Sequence, residues 1–158
     1  MRVPGKLMLG TGGGNMGVLL SQTFVKTAAV SVIIFVILDL LWLAVIASPF
    51  YLKHFGYLAQ VENGKIVFNL YAGLLAQVII SLAIVSVITL ALNAWYALPA
   101  SVIAGALTGF ALYASYDLTN LSFVKGYGVL MSIVDIAWGT MQGIFAGFYV
   151  YFLMKYFS

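Results

Sequence analysis

A chain of 158 residues with 64% hydrophobic and 7% charged side chains is not an ordinary water-soluble domain, whose usage runs near 45–50% apolar and about 25% charged. Its mean hydropathy of +1.11 makes lipid the solvent for most of it. The net charge of +3 comes from seven basic and four acidic residues scattered singly along the chain. That scatter excludes a nucleic-acid surface and suits loop ends facing lipid headgroups. With no cysteine, disulfides, thiolate chemistry and cysteine metal sites are excluded.

Residues 1–27 read as a flexible glycine-rich tail, because Gly5, Gly10, Gly12, Gly13, Gly14 and Gly17 hold a helix only at high entropic cost. The tail lacks a secretory signal, since Leu7-Met8-Leu9 runs straight into glycine. It is not a phosphate loop either: Gly5-Lys6 and Gly64-Lys65 are followed by Leu and Ile, not by Ser or Thr. Met16 is an alternative start. Residues 28–158 read as an all-α, polytopic domain, a four-transmembrane-helix antiparallel bundle.

The first span is expected over Ala28 to Ala47, stopped by Ser48-Pro49. A connection rich in interfacial aromatics, with Lys53 and His54, follows to Lys65, and Asn63-Gly64 reads as a tight turn. The uncharged run from Ile66 to Tyr116 is long enough for two spans of about 20 residues, broken near Asn93–Tyr96 and reopened by Pro99. Asp117 to Gly128 is a polar connection, and the last span covers Val129 to Tyr151. Lys26 and Lys155 mark one membrane face and Lys53, Lys65 and Lys125 the other, a tally that leans towards both termini outside.

Three of the four acids, Asp39, Asp117 and Asp135, fall in or at the edge of these spans. An aspartate at a helix centre costs about 2.5–3.5 kcal/mol on insertion scales, so it is partnered or functional. At ~1.5 Å per residue Asp39 lies about 16 Å from Ala28 and about 12 Å from Ala47, and Asp135 about 9 Å inside its span. All three carboxylates therefore occupy one half of the bilayer.

Asp39-Leu-Leu-Trp42 and Asp135-Ile-Ala-Trp138 repeat an Asp-x-x-Trp pattern on the first and last spans. Carboxylate and indole at i and i+3 share a face, so each indole N–H is in place to serve a neighbouring carboxylate. Asp135, Gly139, Gln142 and Ala146 share one stripe. Gly139, Gly143 and Gly147 form a small-residue seam that Gly105 and Gly109 match on the third span, with Thr108 and Tyr113 alongside. Asp117, Thr119 and Asn120 have two readings: capping of the third helix, or, with Asn69 and Lys125, a polar mouth over Asp39 and Asp135. His54 reads as an amphipathic surface residue. One histidine and no cysteine give no zinc set, and no Ser-His-Asp grouping, haem-ligand pair or HExxH is present. Neither a metal nor a cofactor is expected.

Asp39-Leu-Leu-Trp42-Leu with Phe50-Tyr51, Tyr116-Asp-Leu-Thr-Asn120-Leu with Lys125-Gly126, and Asp135-Ile-Ala-Trp138-Gly139 occur in order. In these motifs the chain resembles the small bacterial inner-membrane proteins grouped as domain of unknown function 2177. The resemblance covers Gln22 to the C-terminus, and Arg2 to Leu20 depart from it as an extra leader. It implies four spans and a bacterial inner-membrane location, and brings no activity, substrate or cofactor.

Three functional readings follow. The first is a binding or transport-type protein, expected as a homodimer or in a larger complex, that takes a proton, cation or small polar or lipid ligand on its aspartates. Its candidate ligand residues are Asp39, Asp117, Asp135, Trp42, Trp138, Tyr113, Asn120 and Gln142. The second is an accessory or assembly subunit whose glycine seams dock a partner. The third is a lipid-modifying enzyme with an aspartate base, ranked last because no nucleophile accompanies the acids. An open polar cavity favours the first reading and a sealed core the second.

Overall fold

The computed structural model describes residues 15–158. A short helix, α1 (Asn15–Leu19), precedes α2 (Gln22–Leu41), which passes into a π-helical turn at Trp42–Ile46. Next come α3 (Ser48–Phe55) and a two-residue hairpin, β1 (Val61–Glu62) with β2 (Lys65–Ile66). Three long helices complete the chain: α4 (Leu70–Ala94), α5 (Leu98–Phe123) and α6 (Val129–Phe157). Gln22–Ile46, Leu70–Ala94, Leu98–Phe123 and Val129–Phe157 are four helices long and apolar enough to cross a membrane. The protein is a multi-pass membrane protein built as an antiparallel four-helix bundle.

Several boundaries differ from the sequence expectation. The first span starts at Gln22, not Ala28, because the Ser21 hydroxyl accepts the Phe24 N–H at 3.1 Å and caps the helix there. The expected tail therefore has helix in its part from Asn15 onward, and Gly5, Gly10, Gly12, Gly13 and Gly14 lie outside the described residues. Pro49 opens α3 in its first turn, where a missing N–H costs nothing, and does not end structure. The second span begins at Leu70, since Lys65 and Ile66 pair in the hairpin and the Asn69 side chain caps α4 through the Ala72 N–H at 3.1 Å. Helix α5 continues past Tyr116 to Phe123, and α6 past Tyr151 to Phe157.

The expected turn is present: Asn63 (φ 50°) and Gly64 (φ 73°) both occupy the left-handed region, as a two-residue hairpin turn of type I′ demands.

Helices α5 and α6 share the largest interface; α2 lies against α4 and α6, while α4 and α6 also meet across the bundle. Gly105, Gly109, Gly139, Gly143 and Gly147 line the α5–α6 contact. A Cβ on Gly105 would strike the Gly143 carbonyl, one on Gly143 the Gly105 carbonyl, and one on Gly109 the Gly139 carbonyl. The two seams are thus consumed inside the chain, where backbones approach too closely for any side chain. Away from the connection-bearing end, Ala28, Phe35, Ile84, Val85, Ile88, Leu92, Ala146, Val150 and Met154 form a continuous apolar core.

Candidate functional site

Four polar side chains from four positions along the chain lie at one depth. Asp39 and Gln77 lie seven residues from Ile46 and Leu70, the ends of their spans, and Asp117 and Asp135 six residues from Phe123 and Val129. At ~1.5 Å per residue this is a polar layer about 10 Å from one end of the bundle. The same end carries Lys53, Lys65 and Lys125 in its connections.

Asp39, 3% exposed, is fully served. Its Oδ1 accepts the Trp138 indole N–H at 3.0 Å and the Gln142 amide at 3.3 Å, and its Oδ2 accepts the Gln77 amide. Gln142 is oriented in turn by the Tyr113 hydroxyl, which donates to its Oε1 at 2.7 Å. Three N–H donors from α4 and α6 therefore converge on one α2 carboxylate.

Asp135 has a different environment. Its Oδ1 accepts from the Tyr51 hydroxyl, and Oδ2 has no hydrogen-bond partner among the described residues. Burial, and then the Asp135 charge, push the Tyr51 phenol far above the ordinary tyrosine range, so it stays protonated and acts as a donor. The same phenol oxygen accepts the Trp42 indole N–H at 3.3 Å. Tyr51 reaches Asp135 because the π turn at Trp42–Ile46 widens the end of the span and α3 then folds back across it.

The two Asp-x-x-Trp segments exchange partners. Trp138 serves Asp39 directly, and Trp42 serves Asp135 through Tyr51. The indoles stack face to face, with centroids 4.4 Å apart and planes 7° from parallel. Asp39 and Asp135 are thus bridged by a tryptophan pair and share no single donor.

Asp117 stands apart from this network. It is fully buried; Oδ1 accepts the Tyr127 hydroxyl at 2.8 Å, and Oδ2 has no partner. Burial and this acceptor raise the Tyr127 phenol well above its usual range. Since α5 runs on to Phe123, Asp117 is not a helix cap. Neither Asp117 nor Asn120 lines any of the three cavities described below, and Lys125 is exposed. The expected polar mouth therefore reduces to Asn69, which caps α4 and borders two of the cavities.

The cavities surround the start of α4. One of about 430 Å³ lies between α4, α5 and the aspartates, lined among others by Asp39, Tyr51, Gln77, Tyr113, Asp135 and Trp138. Another of about 290 Å³ opens towards the α3 connection and shares Tyr51 and Asp135; a third of about 150 Å³ lies between α2 and α4 and reaches Asp39 and Gln77. Every residue from Leu70 to Ala76 is exposed, so the first two turns of α4 stand off the bundle. Among the described residues no group of three or more His, Cys, Asp or Glu is close enough to hold a metal ion.

Tyr51 and Gln77 are the residues that sequence reasoning passed over. Gln77 carried a signal, as a full-sized amide near the middle of an otherwise apolar run; Tyr51 did not, since its role depends on the fold-back of α3.

A family model described as "Predicted membrane protein (DUF2177)" matches residues 24–152, most of the chain. The chain belongs to the DUF2177 family. The DUF2177 match takes in the whole polar layer and both Asp-x-x-Trp segments. No curated protein and no solved structure matches the chain.

Proposed function

We propose that this DUF2177 protein is a membrane-embedded binding or transport-type protein that holds a proton, a cation or a small polar or lipid ligand between Asp39 and Asp135. The observation that supports this is the cavity of about 430 Å³ beside both carboxylates, within the roughly 300–1,000 Å³ of ligand sites. An accessory subunit needs no such space, and the glycine seams it would use for docking are spent on the α5–α6 contact. A lipid-modifying enzyme would have to use the carboxylates themselves, since among the described residues the lining of this cavity holds no Ser, Thr, Lys or His to accompany them.

Four helices are few for a carrier, so the transport form of this reading requires a second copy or a larger complex, joined through lipid-facing surfaces. The family resemblance supports a bacterial inner (cytoplasmic) membrane. The excess of Lys53, Lys65 and Lys125 at the end nearer the aspartates supports a cytoplasmic position for that end, with both termini outside.

The native absence of cysteine allows a direct test. Single cysteines at Ala76, on the cavity wall, and at Ile84, in the sealed core, are exposed to N-ethylmaleimide in membranes. Labelling at Ala76 but not at Ile84 is expected. An inert Ala76→Cys, together with unchanged growth of cells carrying Asp39→Asn, Asp135→Asn or both, overturns the binding reading in favour of the accessory subunit.

A further inference from the structure

The polar atom left over in the cavity specifies its ligand more closely. The Tyr51 hydroxyl is committed to Asp135, the Tyr113 hydroxyl to Gln142, and the Trp138 indole to Asp39. One polar atom of a lining residue has no hydrogen-bond partner among the described residues, Oδ2 of Asp135. It is an acceptor. An unpaired acceptor in a buried site is costly, so a matching ligand brings a hydrogen-bond donor.

Charge points the same way. Among the described residues no Lys, Arg or His lines any of the three cavities, while Asp39 and Asp135 both border the largest of the three. Tyr113, Tyr116 and Trp138 add aromatic rings, which attract cations, and Leu43, Ile80 and Leu112 make the remaining wall apolar. Tyr116, which lines this cavity, is 60% exposed.

We infer that the ligand is a primary or secondary ammonium on an apolar body, with an N–H donated to Asp135 Oδ2. The inference rests on the binding reading above and narrows it to one chemical class. A quaternary ammonium has the charge without the donors, an alcohol has the donor without the charge, and a carboxylate has the wrong sign.

The test uses the full-length protein in phosphatidylcholine nanodiscs and four probes sharing one ring: phenethylamine, its N,N,N-trimethyl analogue, phenethyl alcohol and phenylacetate. Saturable binding is read by calorimetry, with empty nanodiscs subtracted. Phenethylamine is expected to bind at least tenfold more tightly than the other three, and Asp135→Asn to weaken it at least tenfold while melting near the wild-type temperature. Equal affinity for the trimethyl analogue overturns the donor assignment and leaves a cation-binding cavity. Preference for the alcohol or phenylacetate overturns the cationic class while a binding protein remains. Absence of saturable binding by all four probes overturns this proposal, and the binding reading falls only if Ala76→Cys is also inert.

Discussion

The α5–α6 pair and the first two turns of α4 are built on opposite terms. Between α5 and α6, glycines bring the two backbones to a separation at which no added carbon fits. From Leu70 to Ala76, α4 exposes every residue, borders cavities on both sides, and is tied inward at Gln77 through one amide on Asp39. Both segments are apolar and helical, so hydrophobicity does not separate them. The difference is whether glycines recur at helical spacing: Gly73 stands without a four-residue partner glycine, while Gly139, Gly143 and Gly147 repeat. One half of the molecule is a fixed wall, against which the other leaves room for a ligand.

The largest effect expected from this contrast is at the wall. Gly143→Leu should abolish a cooperative thermal transition in detergent, because the clash is with backbone and exceeds the roughly 1–3 kcal/mol of ordinary overpacking; Gly73→Leu, with open space at its Cβ, should melt within a few degrees of wild type. Equal losses would dissolve the distinction.

Next come the two aspartates. Asp39→Ala strands the Trp138, Gln142 and Gln77 donors; at about 1–3 kcal/mol per orphaned buried group, a loss of several kcal/mol is expected. Asp135→Asn keeps an acceptor for Tyr51 and should cost under about 1 kcal/mol. Unfolding by SDS titration compares them, and a larger loss at Asp135 would reverse their assignment. Tyr51→Phe should fall between, at about 1 kcal/mol, with the Trp42 N–H losing its acceptor and Trp fluorescence shifting accordingly. The smallest effect is a gain: Gly73→Ala fills open space in a helix and should stabilise by up to about 1 kcal/mol. A loss there would mean that α4 packs more tightly than its exposure indicates.

Much of this was legible in the residues. Hydropathy and two uncharged runs are enough for four spans, and the spacing of Asp39, Asp117 and Asp135 from span ends is enough to place all three in one half of the bilayer; their common depth needed the extension of α5 to Phe123. The Asp-x-x-Trp repeat identifies the indoles as partners, since lipid offers a carboxylate no other donors. What pattern could not supply was the route of the chain between spans. Pro49 signals a helix end and a helix start equally well, and only the π turn and α3 decide that Tyr51 returns to Asp135. Asp117 misleads for a related reason: a capping residue and a buried acid bonded by Tyr127 have the same sequence signature near a helix end.

The depth of the polar layer has an electrical consequence. A charge moving between the lysine-bearing end and the layer crosses about 10 Å, a third of a hydrocarbon core roughly 30 Å thick. At about 2.3 kcal/mol per elementary charge for a full 100 mV drop, that passage is worth only about 0.8 kcal/mol. Occupancy from that end should therefore respond weakly to membrane voltage. The remaining two thirds of the field falls across the bundle of Phe35, Ile84, Ile88 and Met154, where every one of these side chains is fully buried, so any current through the protein would have its voltage sensitivity set there and not at the aspartates.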